Sequence, residues 1–415
     1  MIKVFDLDQW DEILQTVTRN KSRSLLTAFG VFWGIFMLVF LMGGGEGLKR
    51  FMSSNFAGLA QNSCFLMPNA TSKAYKGFQS GRQWELENAD VERIRRAVPQ
   101  VETVTPMVAQ WGVTMKNGDN QMSGTLKGVK ADYALIEEPH LTHGRFLTDT
   151  DERDSRKVCV IGKRVYEELF PDVDNPCGRY VEVDGVYYQV VGVSKMTSNI
   201  GIMGSAEQSV MIPFRTLQRL YHRGDDVQAI GFTARRGTTV TSIQADVERV
   251  VRQAHLLAPD DGQALHVFNL ETLFQMIDNL FRGIETLVWL IGVGTLLSGA
   301  IGVSNIMMVT VRERTGEIGI RRAIGARPSS ILWQVMAESI VLTVIAGLAG
   351  ITFAVALLSG VEHIVAAQGE TISFQVSFGL ALGAAAALAV LGGLAGLAPS
   401  MRALSIRPID AIRDE

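Results

Sequence analysis

Only three cysteines and six histidines occur in 415 residues, and no long block carries a single charge sign. Cys64, Cys159 and Cys177 cannot build a disulfide framework: one bridge is open to them and one thiol is left over. Charged residues make up 20% of the chain and the net charge is −3, which excludes a strongly basic polyanion binder, so no nucleic-acid partner is expected. Apolar residues, at 47%, are too many for a disordered chain. The scarcity of charge is concentrated. Almost none falls in 24–45, 286–311, 339–361 and 371–401, whereas 46–285 has the mixture of an ordinary soluble domain. The mean hydropathy of +0.18 reflects that segregation.

The signatures of catalysis are missing as well. Gly162-Lys163 lacks the upstream glycine and the following Ser or Thr of a phosphate-binding loop. No G-x-G-x-x-G follows a strand, and neither G-x-S-x-G nor H-E-x-x-H occurs. His140 and His143 are spaced H-x-x-H, but Pro139 and Gly144 point to a loop, and the two read as ordinary surface or core histidines. Ser298 and Ser304, inside an apolar run, have no histidine at their depth and read as helix-packing hydroxyls. No catalytic residue, resident cofactor or metal is expected.

What is present is four apolar runs: Leu25–Met42, Leu287–Val311, and roughly 331–361 and 376–399. About 20 apolar residues in a helix cross a hydrocarbon core, and all four runs approach or exceed that length. Glu338 is the one acid near the start of the third, placed to sit at the interface or to face a partner helix. Glycines crowd the runs (Gly292, Gly294, Gly299 and Gly302; Gly347 and Gly350; Gly379, Gly383, Gly392, Gly393 and Gly396), as helices that pack closely on one another require. Arg19, Lys21 and Arg23 precede the first run, Arg312, Arg314, Arg321, Arg322 and Arg327 lie between the second and third, and Arg402, Arg407 and Arg413 follow the fourth. The positive-inside rule then puts both termini and the 312–330 segment in the cytoplasm. Lys49, Arg50 and Arg282 sit on the other side, but they flank a long domain, where the rule is weak. The first run begins too late for a signal peptide, and no A-x-A site follows it.

The reading is therefore an α-helical membrane protein with four transmembrane helices plus a large extracytoplasmic α+β domain between the first and second. Its expected segments are a cytoplasmic amphipathic helix over 1–23 (Leu7, Trp10, Leu14, Val17 on one face), spans over 24–45, 286–311, 331–361 and 373–400, and the outer domain with a stalk over 46–285. A cytoplasmic segment over 312–330, a short outer loop over 362–372 and a cytoplasmic tail over 401–415 complete it. Within the domain, helices are predicted over about 88–98 and 242–257. Both contain A-D-V-E-R, which suggests two similar halves interrupted by an insertion. Strands are predicted over 101–116, 121–130, 157–161, 179–193 and 209–213, with a hairpin turning at Asp184-Gly185. The helical pattern of Glu271–Arg282 runs into the second span without a breaker, and Leu48, Phe51 and Met52 prolong the first, so the spans extend outward as a stalk. In Val311–Ser330, Glu317 and Arg321 form an i,i+4 pair, Ile318 and Ile324 supply part of an apolar face, and Gly316 and Gly319 suggest a surface that another backbone approaches. Each of those glycines costs about 1 kcal/mol in a helix.

Ser304–Ile351, with its E-R-T-G-E-I-G-I-R-R-A-I-G-A string, and the ending Leu394–Glu415 resemble the permease region of the MacB/FtsX-type ABC transporters. Arg19–Ile35 is similar to that family's first span, and Leu126–Tyr133, Gly144–Asp151, Val160–Phe170 and Tyr188–Val193 are similar to its extracytoplasmic module. The resemblance implies a bacterial inner-membrane permease subunit working as a dimer, with a second copy or a paralogue. Its ATP and Mg are bound by a cytoplasmic ABC ATPase subunit on another chain, since the sequence starts at the amphipathic helix, and a periplasmic adaptor is a further partner beside the lipid bilayer. It implies that Glu313, Arg314, Thr315, Glu317, Ile318 and Arg321 belong to the segment that touches the ATPase. The implied function is export of an extracytoplasmic peptide, drug or lipoprotein; the alternative is a non-transporting transducer that regulates a cell-wall hydrolase or a sensor.

Overall fold

The computed structural model describes residues 21–54, 56, 58–195, 201–367, 374 and 378–405. The N-terminal amphipathic pattern (Leu7, Trp10, Leu14, Val17) and the tail arginines Arg407 and Arg413 lie outside the described residues. The chain separates into two compact units, Met1–Phe51 with Asn279–Glu415, and Met52–Asp278. Helix α1 (Lys21–Ser54) is 34 residues long and passes from the first into the second.

The 52–278 unit begins with β1 (Ser63–Pro68), the short β2 (Leu86–Glu87), α2 (Asn88–Ala97) and the 17-residue β3 (Val101–Asn117). There follow β4 (Asn120–Val129), β5 (His140–Gly144), α3 (Asp149–Arg153), β6 (Val158–Gly162) and α4 (Lys163–Leu169). Next come β7 (Tyr180–Val183), β8 (Val186–Lys195), β9 (Ser209–Pro213) and α5 (Phe214–Leu220). The unit closes with β10 (Asp226–Val227), β11 (Ala229–Ala234), α6 (Val240–Ala254) and β12 (Leu265–Asn269). One large sheet runs in the order β12-β1-β11-β3-β4-β9-β6-β8-β5, with β7 pairing both β3 and β8.

Four of these strands explain the architecture. β1-α2-β3 and β11-α6-β12 are two βαβ halves, interleaved antiparallel in the order β12-β1-β11-β3. That is the ferredoxin-like arrangement, and residues 118–228 form an insertion between its halves. The repeated A-D-V-E-R string occupies equivalent places on α2 and α6. Val91 and Val247 are both buried, and Asp90–Arg93 and Asp246–Arg249 each pair at 2.7 Å. The expected strands are all present. The sequence pattern does not show β1, β5, β11, β12 or the two-residue β2 and β10; β11 is buried along its whole length, so it carries no alternation to read. The hairpin turns where Asp184 (φ 46°) and Gly185 (φ 81°) supply the two left-handed residues of a type I′ turn. His140 and His143 lie on an edge strand, not the loop expected, because β5 continues the edge of β8 beyond the end of β7. All three cysteines are free thiols: Cys64 on β1 and Cys159 on β6 are buried, and Cys177 precedes β7.

Two buried carboxylates inside this unit are well satisfied. Asp261, fully buried, accepts hydrogen bonds from the Ser72 hydroxyl (2.7 Å), from the Ser72 and Lys73 N–H groups (2.8 and 3.1 Å) and from the N–H groups of Gln263 and Ala264. Burial alone would raise its pKa, but these bonds outweigh it and bring the carboxyl down to about 2. Asp90 is likewise held low: burial opposes, and His255, the Glu87 N–H and Arg93 prevail.

Helix α7 (Leu270–Glu313) starts at Asn269, whose side chain accepts from the Thr272 N–H at 3.1 Å, and runs unbroken for 44 residues. After it come α8 (Thr315–Ala323), α9 (Pro328–Ala367) and α10 (Phe378–Leu404). Helices α1, α7, α9 and α10 are each long and apolar enough to cross a membrane. Several of the glycines sit where helices touch. A Cβ on Gly299 would lie 3.3 Å from the Gly30 carbonyl, and one on Gly350 would lie 2.7 Å from the Phe32 oxygen. Gly294, Gly302, Gly379, Gly383 and Gly393, by contrast, face open space among the described residues.

Candidate functional site

The arginine-rich 312–330 segment is a short, anchored helix. α7 ends at Glu313, Arg314 leaves helical geometry (φ −102°, ψ 18°), and α8 restarts at Thr315. The Thr315 hydroxyl donates back to the Arg312 carbonyl at 2.7 Å, satisfying a group freed by the break. At the other end the Gly325 N–H bonds the Arg322 carbonyl and the Ala326 N–H bonds the Arg321 carbonyl, with Gly325 at φ 101°. This is a Schellman cap, and it needs glycine at that position. Pro328 then opens α9, where its missing N–H costs nothing.

Three side-chain ties hold α8 to the spans. Arg314 pairs with the buried Glu338 of α9 at 3.2 Å. Arg321 donates to Gln334 at 3.1 Å while pairing with Glu317 at 2.8 Å, so the expected i,i+4 pair is present. Arg322 donates to the Leu404 carbonyl at the end of α10, at 2.8 Å. Between them a cavity of about 30 Å³ touches Arg314, Glu317 and Arg321, room for a water and no more.

The six sequence-predicted residues do not share one face. Glu313 and Glu317 are exposed. Ile318 is turned inward and packs with Met307, Val311, Ile331 and Val335. Arg314, Thr315 and Arg321 are half-buried and spent on the ties just described. The expectation that Ile318 and Ile324 share an apolar face is corrected: six residues place them about 600° apart around a helix, and the cap carries Ile324 clear of the fold. The outward apolar pair is Ile320 (52% exposed) and Ile324 (82%), at i,i+4. Gly316 meets no backbone among the described residues, and Gly319 is buried. Sequence reasoning missed Gln334, Arg322 and Ile320; the i,i+4 spacing of the two isoleucines was the available signal. Among the described residues no three of His, Cys, Asp and Glu are grouped to hold a metal ion.

Residues 24–250 match the model of the MacB-like periplasmic core domain, and residues 289–408 match the FtsX-like permease C-terminal model. The chain belongs to the MacB/FtsX-type ABC permeases. It is 31% identical over 403 residues to the pyoverdine export ATP-binding/permease protein PvdT of Pseudomonas putida, covering 95% of this chain and 58% of that protein. With the macrolide export ATP-binding/permease protein MacB of Bdellovibrio bacteriovorus it shares 29% over 412 residues, covering 97% of this chain and 61% of that one. The chain thus spans about three fifths of the length of these curated relatives. The periplasmic region of MacB from Actinobacillus actinomycetemcomitans matches with a TM-score of 0.44 at 19% identity, over 54% of this chain and 96% of that one.

Proposed function

We propose that this MacB/FtsX-type permease is a bacterial inner-membrane export subunit whose α8 receives the motion of a cytoplasmic ABC ATPase. Both termini and α8 face the cytoplasm, and the 52–278 unit lies outside, in agreement with the arginines of 312–327. The observation that carries the reading is the two-faced character of α8. Its inner face is fastened to α9 and α10 through Glu338, Gln334 and Leu404, while its outer face presents Ile320 and Ile324 beside Glu313 and Glu317. A helix clamped on one side and apolar on the other suits a partner that must push the spans without being part of them. The unbroken α7 supports transmission along one rigid element. A dimeric permease and export of a peptide-like or macrolide-like cargo are part of the same proposal, supported by relatives named for export of pyoverdine and of macrolides.

The test is affinity purification of the tagged full chain from its host membranes, with the recovered ABC ATPase quantified by mass spectrometry. Ile320→Asp combined with Ile324→Asp lowers ATPase recovery at least about tenfold, as loss of a central apolar anchor does. The amount of permease in the membrane and its thermal midpoint stay unchanged. Equal recovery from the double variant and the parent removes α8 as the docking element.

A further inference from the structure

Near its C-terminal end α1 carries three successive glycines, Gly43, Gly44 and Gly45. Glycine weakens a helix relative to alanine, and close packing explains the residue at Gly30 and Gly34, where α7 lies against the backbone. It does not explain Gly45. A Cβ there would meet nothing within 4 Å among the described residues, and one at Gly44 would meet only a Leu358 methyl at 3.8 Å. Gly43 and Gly45 line a cavity of about 310 Å³ between α1 and α7, at the lower end of the size of small-molecule sites.

The cavity is amphipathic along its depth. Leu41, Met42 and Val288 line one end, and Phe281 and Ile284 form a wall. Lys49, Arg50 and Arg282, with Glu46 and Glu285, line the rest. Arg50 and Glu46 pair at 3.3 Å, and three cations against two acids give these side chains a net positive charge. Glu46 and Glu285 are also the first charges met on leaving the uncharged runs of α1 and α7. The site therefore straddles the boundary where hydrocarbon gives way to headgroups, the level at which Lys and Arg stems lie on apolar surface and their tips reach phosphate.

We propose that this groove binds one membrane phospholipid, its phosphate held by Arg282, Lys49 and Arg50 and the upper part of one acyl chain filling the space beside Gly43 and Gly45. The occupant wedges between α1 and α7 at the end of the spans that adjoins the 52–278 unit. The proposal stands apart from the ATPase-docking reading.

Native mass spectrometry of the full chain in dodecyl maltoside tests it, with lysophosphatidylglycerol as the probe and the neutral monoacylglycerol of equal chain length as its control. One lysophosphatidylglycerol is retained per chain and the monoacylglycerol is not. Gly45→Leu, which fills the cavity, and Arg282→Glu, which reverses the charge, each lower retention about tenfold. Both variants still co-purify with the ATPase, so failure of this site is distinguishable from failure of the docking helix. Three results overturn the proposal: equal retention of the neutral lipid, unchanged retention by both variants, or no lipid retained because a second copy of the chain covers the groove. Displacement of the lysolipid by millimolar inorganic phosphate alone overturns it too, by assigning the site to free phosphate.

Discussion

Glycine is used in different proportions in the two units, for turning in one and for close helix contact in the other. In residues 52–278 much of it lets the backbone turn: among the described residues every glycine with positive φ lies there except Gly325. Gly124, Gly162 and Gly192 instead let another backbone approach, a Cβ on each falling 2.2–2.3 Å from a carbonyl oxygen. In the helices of the other unit it lets backbones meet, as at Gly30 with Gly299 and at Gly350 with Phe32. The solvent accounts for the difference. A domain in water is driven together by burial of side chains such as Phe65, Phe232 and Val247, so much of its glycine is left for turns. Helices in lipid gain nothing by leaving an equally apolar medium, and they associate through dispersion contacts that a Cβ would hold apart. Gly325 belongs to the first kind although it sits in the second unit, since it caps the helix outside the spans.

Substitution sharpens that contrast, beginning with the largest effect. Gly350→Leu drives a side chain into the Phe32 carbonyl, which has no rotamer to move away. It should cost about 3 kcal/mol or more and appear as loss of monodisperse protein on size-exclusion after extraction. Gly302→Leu, aimed at open space, should change the thermal midpoint by no more than the equivalent of about 0.5 kcal/mol. Equal damage from the two would end the distinction between packing and non-packing glycines.

Next in size is Asp261→Ala, which strands buried N–H donors in the water-facing unit and should cost about 2–3 kcal/mol in urea unfolding of the full chain. The same residue sets a pH dependence. Its carboxyl is lowered from an ordinary 3.8 to about 2, so the folded state binds fewer protons there than the unfolded one. The stabilisation is complete above 3.8 and is lost as the pH falls towards about 2. The variant should therefore lose less stability than the parent across that acid window.

Smaller than either disruptive change is Glu338→Ala, which removes the 3.2 Å pair with Arg314. With the Arg314 side chain 25% exposed, the expected cost is about 2 kcal/mol, below that of a fully buried pair. Arg314→Met with Glu338→Leu should recover most of that stability; under the proposed docking on α8 it should also transmit poorly, read as ATPase activity of a reconstituted complex that no longer responds to the permease. If the double variant still couples, the pair is a packing device only.

Much of this was legible beforehand because it depends on local pattern. Uncharged runs announce spans, since a charge at mid-membrane is too costly to hide. The Asp184-Gly185 turn and the strands around it alternate visibly, and the A-D-V-E-R copies marked two halves before any strand order was known. Three things were not legible. β11 reads as an unremarkable apolar stretch because it is covered on both faces. The inward turn of Ile318 and the outward turn of Ile320 depend on where Arg314 breaks the helix, a choice made jointly with Glu338, 24 residues away. The space beside Gly45 exists only because α7 passes at a certain distance.

By itself, then, the amino-acid order determined how often the chain enters an apolar medium, which stretch stays in water, and where the basic segment falls between spans. Those properties are sums over neighbouring residues, and transfer free energy adds along the chain. Which glycine touches another helix, which isoleucine faces out and which arginine meets Glu338 were decided only in three dimensions. Each is a relation between residues far apart in sequence, and one residue of helical phase, about 100° of rotation, is enough to reverse it.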